Sequence, residues 1–238
     1  MGVSSPRRRI GQLAAVAAMA AAFSAATAWL YESPYLLALL ALPLPFLLGL
    51  FFSDRRHALL LGLGGALIGP ATEAVCVAGG LWTYTETGGI PLIPPWHPPG
   101  WACFPLAITL VVTALRPSAF SHNISARTVV LLLLGLAFET AVFVILGTRT
   151  FSALIFALAA SVFLLAIWRN QAVWLTFLSG LLVGPLTEAL PIRLGAWSYA
   201  RDEFLGMPYY MPLAYGLYAV LLGFAAHGLA QALRRAPK

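Results

Sequence analysis

Two glutamates that lie inside apolar segments are the residues best suited to carry chemistry. Glu73 and Glu188 occupy the same place in two copies of a Gly-Pro-x-Thr-Glu-Ala motif, 115 residues apart. A carboxyl group in a transmembrane helix is costly, so it usually faces the protein interior or a water-filled cavity. The proline three residues before each glutamate predicts a kink that opens the bundle. We therefore predict either a pair of catalytic acids or a pair of hydrogen-bonding groups that tie helices together.

A third acid, Glu139, lies in another apolar segment and has no acidic counterpart. The equivalent residue in the other copy is Ser24, 115 positions earlier. This asymmetry predicts either a specialised catalytic acid or a local hydrogen-bond partner. The predicted catalytic residues are therefore Glu73, Glu188 and Glu139.

Aromatic side chains follow each motif at a fixed distance, because a Trp-x-Tyr element begins nine residues after each of the paired acids. Two interpretations are open. The aromatic residues form an interfacial belt, or they form the roof of a cavity beneath Gly- and Pro-rich loops that fold back into the bundle. The second interpretation predicts a substrate-binding set composed of Trp82, Tyr84, Trp96, His97, Trp101, Trp197, Tyr199, Tyr209 and Tyr210.

Acids beside an aromatic, apolar cavity suit one kind of reaction. A carboxyl group kept neutral by desolvation can act as a general acid, and aromatic faces stabilise cations. Together they would protonate an alkene and hold the carbocation until a second alkene or water captures it. We therefore predict acid-catalysed cyclisation or hydration of a membrane isoprenoid or carotenoid-like lipid. The sequence has no nucleotide-binding motif and no zinc-ligand spacing, so neither a cofactor nor a metal is expected.

The same residues resemble a known group of enzymes. An acid on a helix, then Gly-x-Trp-x-Tyr, then a short loop with Ile-Pro or Met-Pro is similar to the small polytopic carotenoid enzymes. These are the lycopene cyclase-domain proteins and the carotenoid hydratases. In this chain the pattern occupies residues 73–91 and 188–208. The resemblance implies cofactor-free acid chemistry on a membrane isoprenoid.

Two other functions remain open at this point. Proton-coupled transporters also contain repeats, proline-broken helices and paired membrane carboxylates, and a non-catalytic lipid-binding protein needs only the cavity. A transporter needs polar residues on both sides of its site, whereas the inner helix halves are predicted to be almost purely apolar. This pattern favours a one-sided pocket. The expected partners are the bilayer and a membrane lipid or isoprenoid, and the oligomeric state is left open.

The composition indicates the solvent that surrounds these residues. Of 238 residues, 61% are hydrophobic and only 9% are charged, against about 25% charged in an ordinary soluble domain. This number of charged residues is too small to cover a surface exposed to water. Most of the surface must therefore face lipid. The net charge of +6 lies in short connectors, which indicates membrane topology rather than a nucleic-acid partner.

Eight apolar segments are candidates for membrane spans, which need about 20 residues each. They are residues 10–30, 34–52, 58–79, 101–115, 129–147, 152–168, 172–190 and 212–233. The predicted fold is an all-α polytopic membrane helix bundle of two four-helix repeats, residues 1–118 and 126–238. Because four is even, both repeats enter from the same side, and we predict parallel repeats about an axis along the membrane normal.

Basic residues predict the orientation of the bundle. If the N-terminus is cytoplasmic, 11 of the 14 Lys and Arg residues fall inside and 3 fall outside. This asymmetry predicts a multi-pass protein of the cell membrane with both termini in the cytoplasm. Residues 1–28 also resemble a signal peptide. A first span agrees better with the even helix count, and cleavage near Ala26 is the alternative.

Overall fold

The computed structural model describes residues 5–120 and 122–235, most of which are helical. The helices are α1 (Pro6–Leu30), α2 (Pro34–Ala41), α3 (Leu44–Gly49), α4 (Arg55–Ala78), α5 (His97–Leu115), α6 (Ala126–Leu146), α7 (Thr150–Ile167), α8 (Gln171–Arg193) and α9 (Met211–Arg235), and two short strands, β1 (Trp82–Tyr84) and β2 (Trp197–Tyr199), follow α4 and α8. Side chains of Asp54, Ser125 and Asn170 accept backbone N–H groups and so begin α4, α6 and α8. Met1 of the signal-like stretch and Lys238 of the predicted cytoplasmic charges lie outside the described residues.

The predicted polytopic membrane helix bundle is confirmed. Seven of the described helices, all except α2 and α3, are long and apolar enough to cross a membrane. The predicted span 34–52 instead consists of α2 and α3, which are separated at Pro43 because proline lacks the N–H that helix continuation requires. The chain still returns across the bundle there, since Arg8 Nη2 in α1 donates to the carbonyl of Phe51, just after α3, at 3.2 Å. Over residues 5–120 and 122–235 the chain thus crosses the bundle eight times.

Both described ends of the chain lie at one face of the bundle. Arg234 near the end of α9 forms an ion pair with Asp54 at the start of α4, with 2.8 Å between Nη1 and Oδ2. Arg8 lies at the same face, beside the end of α3. We call this face, marked by Arg8, Asp54 and Arg234, the terminal face, and the opposite face with β1 and β2 the loop face. That the terminal face is cytoplasmic stays a prediction.

Cysteines placed at Ser53 and Thr87 are expected to be labelled from opposite sides of the membrane. Ser53 precedes α4 at the terminal face, and Thr87 follows β1 at the loop face. A membrane-impermeant maleimide should modify Thr87→Cys on intact cells and Ser53→Cys only after permeabilisation. The native Cys76 and Cys103 are 9% and 7% exposed, so they should add little background. Labelling of both positions from one side would refute this topology.

The two halves of the chain pack in matching ways. α4 packs along α5, as α8 packs along α9, and α1 contacts α5 and α8, as α6 contacts α9 and α4. β1 pairs antiparallel with β2, with Trp82 opposite Tyr199 and Tyr84 opposite Trp197. A two-fold axis that passes between the strands would exchange β1 with β2, and therefore Trp82 with Trp197 and Tyr84 with Tyr199. The observed register is the one that such an axis requires. These relations support the division into parallel repeats, 1–118 and 126–238, which stays a prediction.

Glycines let the helices of each half approach closely. Gly65 in α4 and its counterpart Gly180 in α8 are each followed by a second glycine four residues later, a spacing typical of close membrane-helix packing. A Cβ at Gly65 would lie 2.4 Å from the carbonyl oxygen of Trp101 in α5. A Cβ at Gly180 would lie 2.4 Å from the carbonyl oxygen of Tyr215 in α9. This contact brings aromatic side chains of α5 and α9 beside the acids.

One group of buried polar side chains lies towards the terminal face. His57 Nε2 and His227 Nδ1 are 3.0 Å apart, and His227 Nε2 is 2.9 Å from Thr109 Oγ1. His227 and Thr109 are both buried. The prediction of almost purely apolar inner helix halves is therefore wrong at this point. Each of the three residues looks isolated within its own helix, and only the packing of α4, α5 and α9 brings them together.

Candidate functional site

Glu73 lies near the end of α4 and is surrounded by aromatic hydrogen-bond donors. Its Oε1 accepts a hydrogen bond from Trp82 Nε1 at 2.9 Å and another from the Tyr84 hydroxyl. Its Oε2 accepts from Trp101 Nε1 at 3.2 Å. Because an indole N–H can only donate, both carboxyl oxygens act as acceptors here. The protein itself therefore satisfies this buried acid.

Glu188, near the end of α8, has a matching environment made of phenols. Its Oε2 accepts from the Tyr199 hydroxyl at 2.7 Å, and its Oε1 accepts from the Tyr215 hydroxyl. Burial, and next the charge of Glu188, raise the pKa of the Tyr199 hydroxyl well above its ordinary value. Burial and the charge of Glu73 do the same to the pKa of Tyr84. These phenols therefore stay protonated and remain donors.

The helical turn before each acid is shaped by a proline and a threonine. Pro70 lies inside α4 and cannot donate to the carbonyl of Ala66. The Thr72 hydroxyl donates to the carbonyl of Gly69 at 2.8 Å and lies 2.6 Å from the Tyr218 hydroxyl. The Thr72 side chain reaches back only three or four residues, so it does not satisfy the Ala66 carbonyl, and Thr187 in α8 repeats the arrangement.

A cavity of about 90 Å³ lies between the two acids, and we call it the paired-acid cavity. It is lined by Phe23, Thr27, Glu73, Tyr84, Trp96, His97, Gly100, Trp101, Phe104, Gly184, Thr187, Glu188, Pro191, Trp197 and Tyr215. The structure thus brings together both predicted acids of the repeat and five of the predicted binding residues, from both halves of the chain. Glu139 is absent from this lining.

Three residues that line the paired-acid cavity each carry a buried polar atom with no hydrogen-bond partner within the described part of the chain. These atoms are Thr27 Oγ1, Trp96 Nε1 and His97 Nε2. The His97 ring is held by Trp96, with 4.2 Å between ring centroids, and by the edge contact of Tyr84 at 4.8 Å. An unsatisfied buried donor or acceptor costs about 1–3 kcal/mol. A group of three in one cavity therefore indicates where a polar ligand group would bind.

A second cavity of about 70 Å³ lies between α4, α6 and α9, and we call it the Glu139 cavity. It is lined by Thr72, Glu73, Cys76, Leu81, Trp82, Trp101, Glu139, Thr140, Phe143, Tyr210, Met211, Ala214, Tyr215 and Tyr218. Glu139 is 5% exposed, and its Oε2 has no hydrogen-bond partner among residues 5–120 and 122–235. Glu73 lines both cavities and therefore stands between them.

The aromatic residues after each motif form a roof rather than an interfacial belt. Trp82 and Trp197 are 8% and 6% exposed, whereas belt residues contact the lipid head groups. Because of the strand register, the Trp82 and Tyr199 rings lie 5.2 Å apart and the Tyr84 and Trp197 rings 5.7 Å apart. Each tryptophan therefore packs on the tyrosine of the other strand, next to the acids.

Not every predicted binding residue reaches a cavity, and two important residues were not predicted. Tyr209 is 56% exposed and lines neither of these two cavities. Tyr199 also lines neither of them but holds Glu188. Tyr215 and Tyr218 were missed, although their spacing of three residues in an apolar helix places both on one face. That spacing was the available signal in the sequence.

The fold is similar to that of a solved membrane protein. No protein-family model and no curated protein matches this chain. Two crystal structures match it, both of MvINS, a mycobacterial Insig homologue from Mycobacterium vanbaalenii, one of them a cross-linked trimer. Each match has a TM-score of 0.60 and 18% sequence identity, and covers 76% of this chain and 96% of that chain. At this identity the match shows a shared fold.

This match corrects two predictions. The resemblance to the lycopene cyclase-domain proteins and carotenoid hydratases is wrong, because the structural neighbours are an Insig homologue rather than carotenoid enzymes. The cyclisation or hydration of an isoprenoid, which we predicted from the acids and the aromatic residues, is wrong as well. The physical reason is that the motif is short and its residue types can serve either role. In this chain Trp82 and Tyr84 donate hydrogen bonds to Glu73, and this structural role needs the same acid, Trp and Tyr as the predicted catalytic one.

Proposed function

We propose that this multi-pass membrane protein binds a membrane lipid in the paired-acid cavity without converting it. The observation that carries the proposal is the group of three buried polar atoms without partners, Thr27 Oγ1, Trp96 Nε1 and His97 Nε2, in one aromatic cavity. In the hydrocarbon region of a bilayer no bulk water satisfies such atoms. A lipid head group that enters from the membrane would do so.

The unpaired atoms indicate the chemistry of the head group. Trp96 Nε1 can only donate, Thr27 Oγ1 can donate or accept, and His97 Nε2 does either according to its tautomer. A carbonyl or hydroxyl oxygen on the ligand satisfies the indole and leaves room for one further donor. A lipid ester or a lipid alcohol therefore fits this set of atoms, and the walls of Phe23 and Phe104 suit its hydrocarbon portion.

The hydrogen bonds of the two acids favour binding over acid catalysis. Glu73 accepts three hydrogen bonds and Glu188 accepts two, all from aromatic side chains of the roof, α5 and α9. A carboxyl group in that position is held as an acceptor and orients the rings around it. We infer that the acids keep the cavity walls in place, while the unpaired atoms contact the ligand.

Replacing Trp96 by phenylalanine is expected to weaken lipid binding about 10-fold, the effect of one lost buried hydrogen bond. The test uses purified full-length protein in nanodiscs and a photoreactive fatty-acid methyl ester, with labelled peptides mapped by mass spectrometry. Wild-type protein should show saturable labelling of the helices that line the paired-acid cavity. Thr27→Val should reduce labelling in the same direction.

The matched control is Trp29→Phe, because Trp29 is 77% exposed and the same chemical change there removes no cavity atom. Its labelling should equal that of the wild type. Labelling that does not saturate, or that Trp96→Phe and Thr27→Val leave unchanged in folded protein, would rule out the proposed ester site.

A further inference from the structure

The Glu139 cavity has a chemistry that differs from that of the paired-acid cavity. Glu139 is 5% exposed, and its Oε2 has no hydrogen-bond partner in the described residues, whereas Glu73 and Glu188 are each held by aromatic donors. A buried polar group without a partner is costly inside a membrane, and an acidic residue there usually marks a functional site. This acid has no role in the lipid site proposed above.

The carboxyl groups around this cavity have no basic side chain beside them in the described part of the chain. Two carboxyl groups, Glu73 and Glu139, line it, and among the described residues no lysine, arginine or histidine does. The donors that surround Glu73 are neutral, so none of them supplies a positive charge. A positively charged ligand group would favour the ionised form of these carboxyl groups and pair with it, and a neutral or anionic group would not.

Aromatic side chains provide the rest of the recognition surface. Six of them line the cavity: Trp82, Trp101, Phe143, Tyr210, Tyr215 and Tyr218. Aromatic faces attract a cation, and the attraction is greatest where water is excluded. The Thr140 hydroxyl donates to the carbonyl of Leu136 at 2.8 Å, so its oxygen remains able to accept a hydrogen bond from a ligand.

The geometry points to a second ligand site: we propose that the Glu139 cavity binds the ammonium group of an amphipathic amine. The ammonium donates to Glu139 Oε2 and to Thr140 Oγ1, and the aromatic faces surround its remaining sides. One water molecule needs roughly 10–15 Å³ of such a volume, so the 70 Å³ of this cavity accommodate the head group and the first carbons. The alkyl chain then extends into the bilayer.

The asymmetry between the halves supports a site in one half only. The residue equivalent to Glu139 is Ser24 in α1, which is also buried. Serine carries no charge, so the other half has no counterpart of this acid. The amine site extends lipid binding to a second ligand, and it does not require that the paired-acid cavity be occupied.

The test uses full-length protein in nanodiscs and photoreactive dodecylamine as the probe. The probe competes with three molecules of equal chain length that differ in the head group: dodecylamine, dodecanol and dodecanoic acid. We expect saturable labelling on α4, α6 or α9 that dodecylamine prevents and that the alcohol and the acid do not. Glu139→Gln should weaken amine binding by about 10- to 100-fold, because it removes a charged hydrogen-bond acceptor but keeps the side-chain shape.

Two control variants separate this proposal from the ester site. Glu32→Gln removes one carboxylate from an exposed loop position and should bind the amine as the wild type does. Trp96→Phe alters the paired-acid cavity only, so it should weaken ester labelling and leave amine labelling unchanged. Absence of saturable ester binding in the wild-type protein, with amine binding intact, would contradict the proposed lipid function and not the amine site.

Defined outcomes overturn the amine site. Equal competition by dodecanol and dodecylamine would show that the cavity does not select a cation. Unchanged amine binding in a folded Glu139→Gln variant would remove Glu139 from recognition. If Glu139→Gln fails to fold, Glu139→Asp keeps the charge on a shorter side chain, and it must retain the preference for the amine over the alcohol.

Discussion

Replacing Glu73 by leucine is expected to lower the free energy of unfolding by at least about 3 kcal/mol, which is a fall in melting temperature of roughly 10 °C. The leucine side chain fills a similar volume but accepts no hydrogen bond. It leaves the donors of Trp82, Tyr84 and Trp101 without a partner in a buried site. Each such donor contributes about 1–3 kcal/mol of lost stability.

Glutamine at the same position should have an intermediate effect of about 1–3 kcal/mol. Its amide oxygen can replace Oε1 and accept from Trp82 and Tyr84. Its amide nitrogen then takes the place of Oε2 and faces the N–H of Trp101, so two donors oppose each other. A structural role alone would therefore make Glu73→Gln measurably unstable.

A double-mutant cycle measures the free-energy cost of placing these two donors opposite each other. Trp101→Phe removes the indole N–H, so Glu73→Gln should be less harmful in the Trp101→Phe background than in the wild type, by about 1–2 kcal/mol. Thermal unfolding in detergent, followed by circular dichroism, measures all four proteins. Glu32→Gln is the control for loss of one carboxylate at an exposed site. Additive effects of the two substitutions would show that Glu73 and Trp101 are not coupled.

Replacing Gly180 by alanine is expected to lower the free energy of unfolding by about 2–3 kcal/mol, the upper range of overpacking in a well-packed interior. The added Cβ would lie 2.4 Å from the carbonyl oxygen of Tyr215 and 2.4 Å from the Cβ of Ala219. Because a backbone atom is the obstacle, no rotamer change relieves the clash. α8 and α9 must move apart, which draws the Tyr215 hydroxyl away from Glu188.

Two measurements test the Gly180 prediction. The melting temperature of Gly180→Ala should fall, and ester labelling in the paired-acid cavity should weaken, since Tyr215 lines that cavity. Gly11→Ala is the matched control, because a Cβ at Gly11 meets nothing within 4 Å and alanine favours a helix by up to about 1 kcal/mol. Equal melting temperatures for the two variants would contradict the close approach of α8 and α9.

The membrane spans could be predicted because each rests on a local signal. A span is a run of apolar residues, and its length follows from the thickness of the bilayer. The break at Pro43 shows the limit of that signal, since hydropathy reports composition and not helix continuity. The start of α5 at His97, inside the Pro-rich segment, is consistent with proline at the first positions of a helix.

The function could not be predicted from the motif because the same residue types suit two different roles. A glutamate followed by Trp-x-Tyr suits an acid under an aromatic roof, and it equally suits an acceptor held by indole and phenol donors. The choice depends on whether Trp82 Nε1 lies within hydrogen-bonding distance of Glu73, and it does, at 2.9 Å. The nine-residue spacing in the sequence does not determine the distance between the Trp82 indole and Glu73.

The sequence by itself determined that this chain is a membrane helix bundle, that one motif occurs twice, and that Glu73, Glu188 and Glu139 lie within apolar segments. These properties follow from composition and periodicity, which act over a few helical turns. Only the tertiary structure decided which acids have partners. Tyr215 donates to Glu188 although it follows that residue by 27 positions in the sequence and lies in another helix. In contrast, Glu139 Oε2 meets no donor in the described residues. Hydrogen bonds act over about 3 Å between groups distant in the chain, so helix packing decides them.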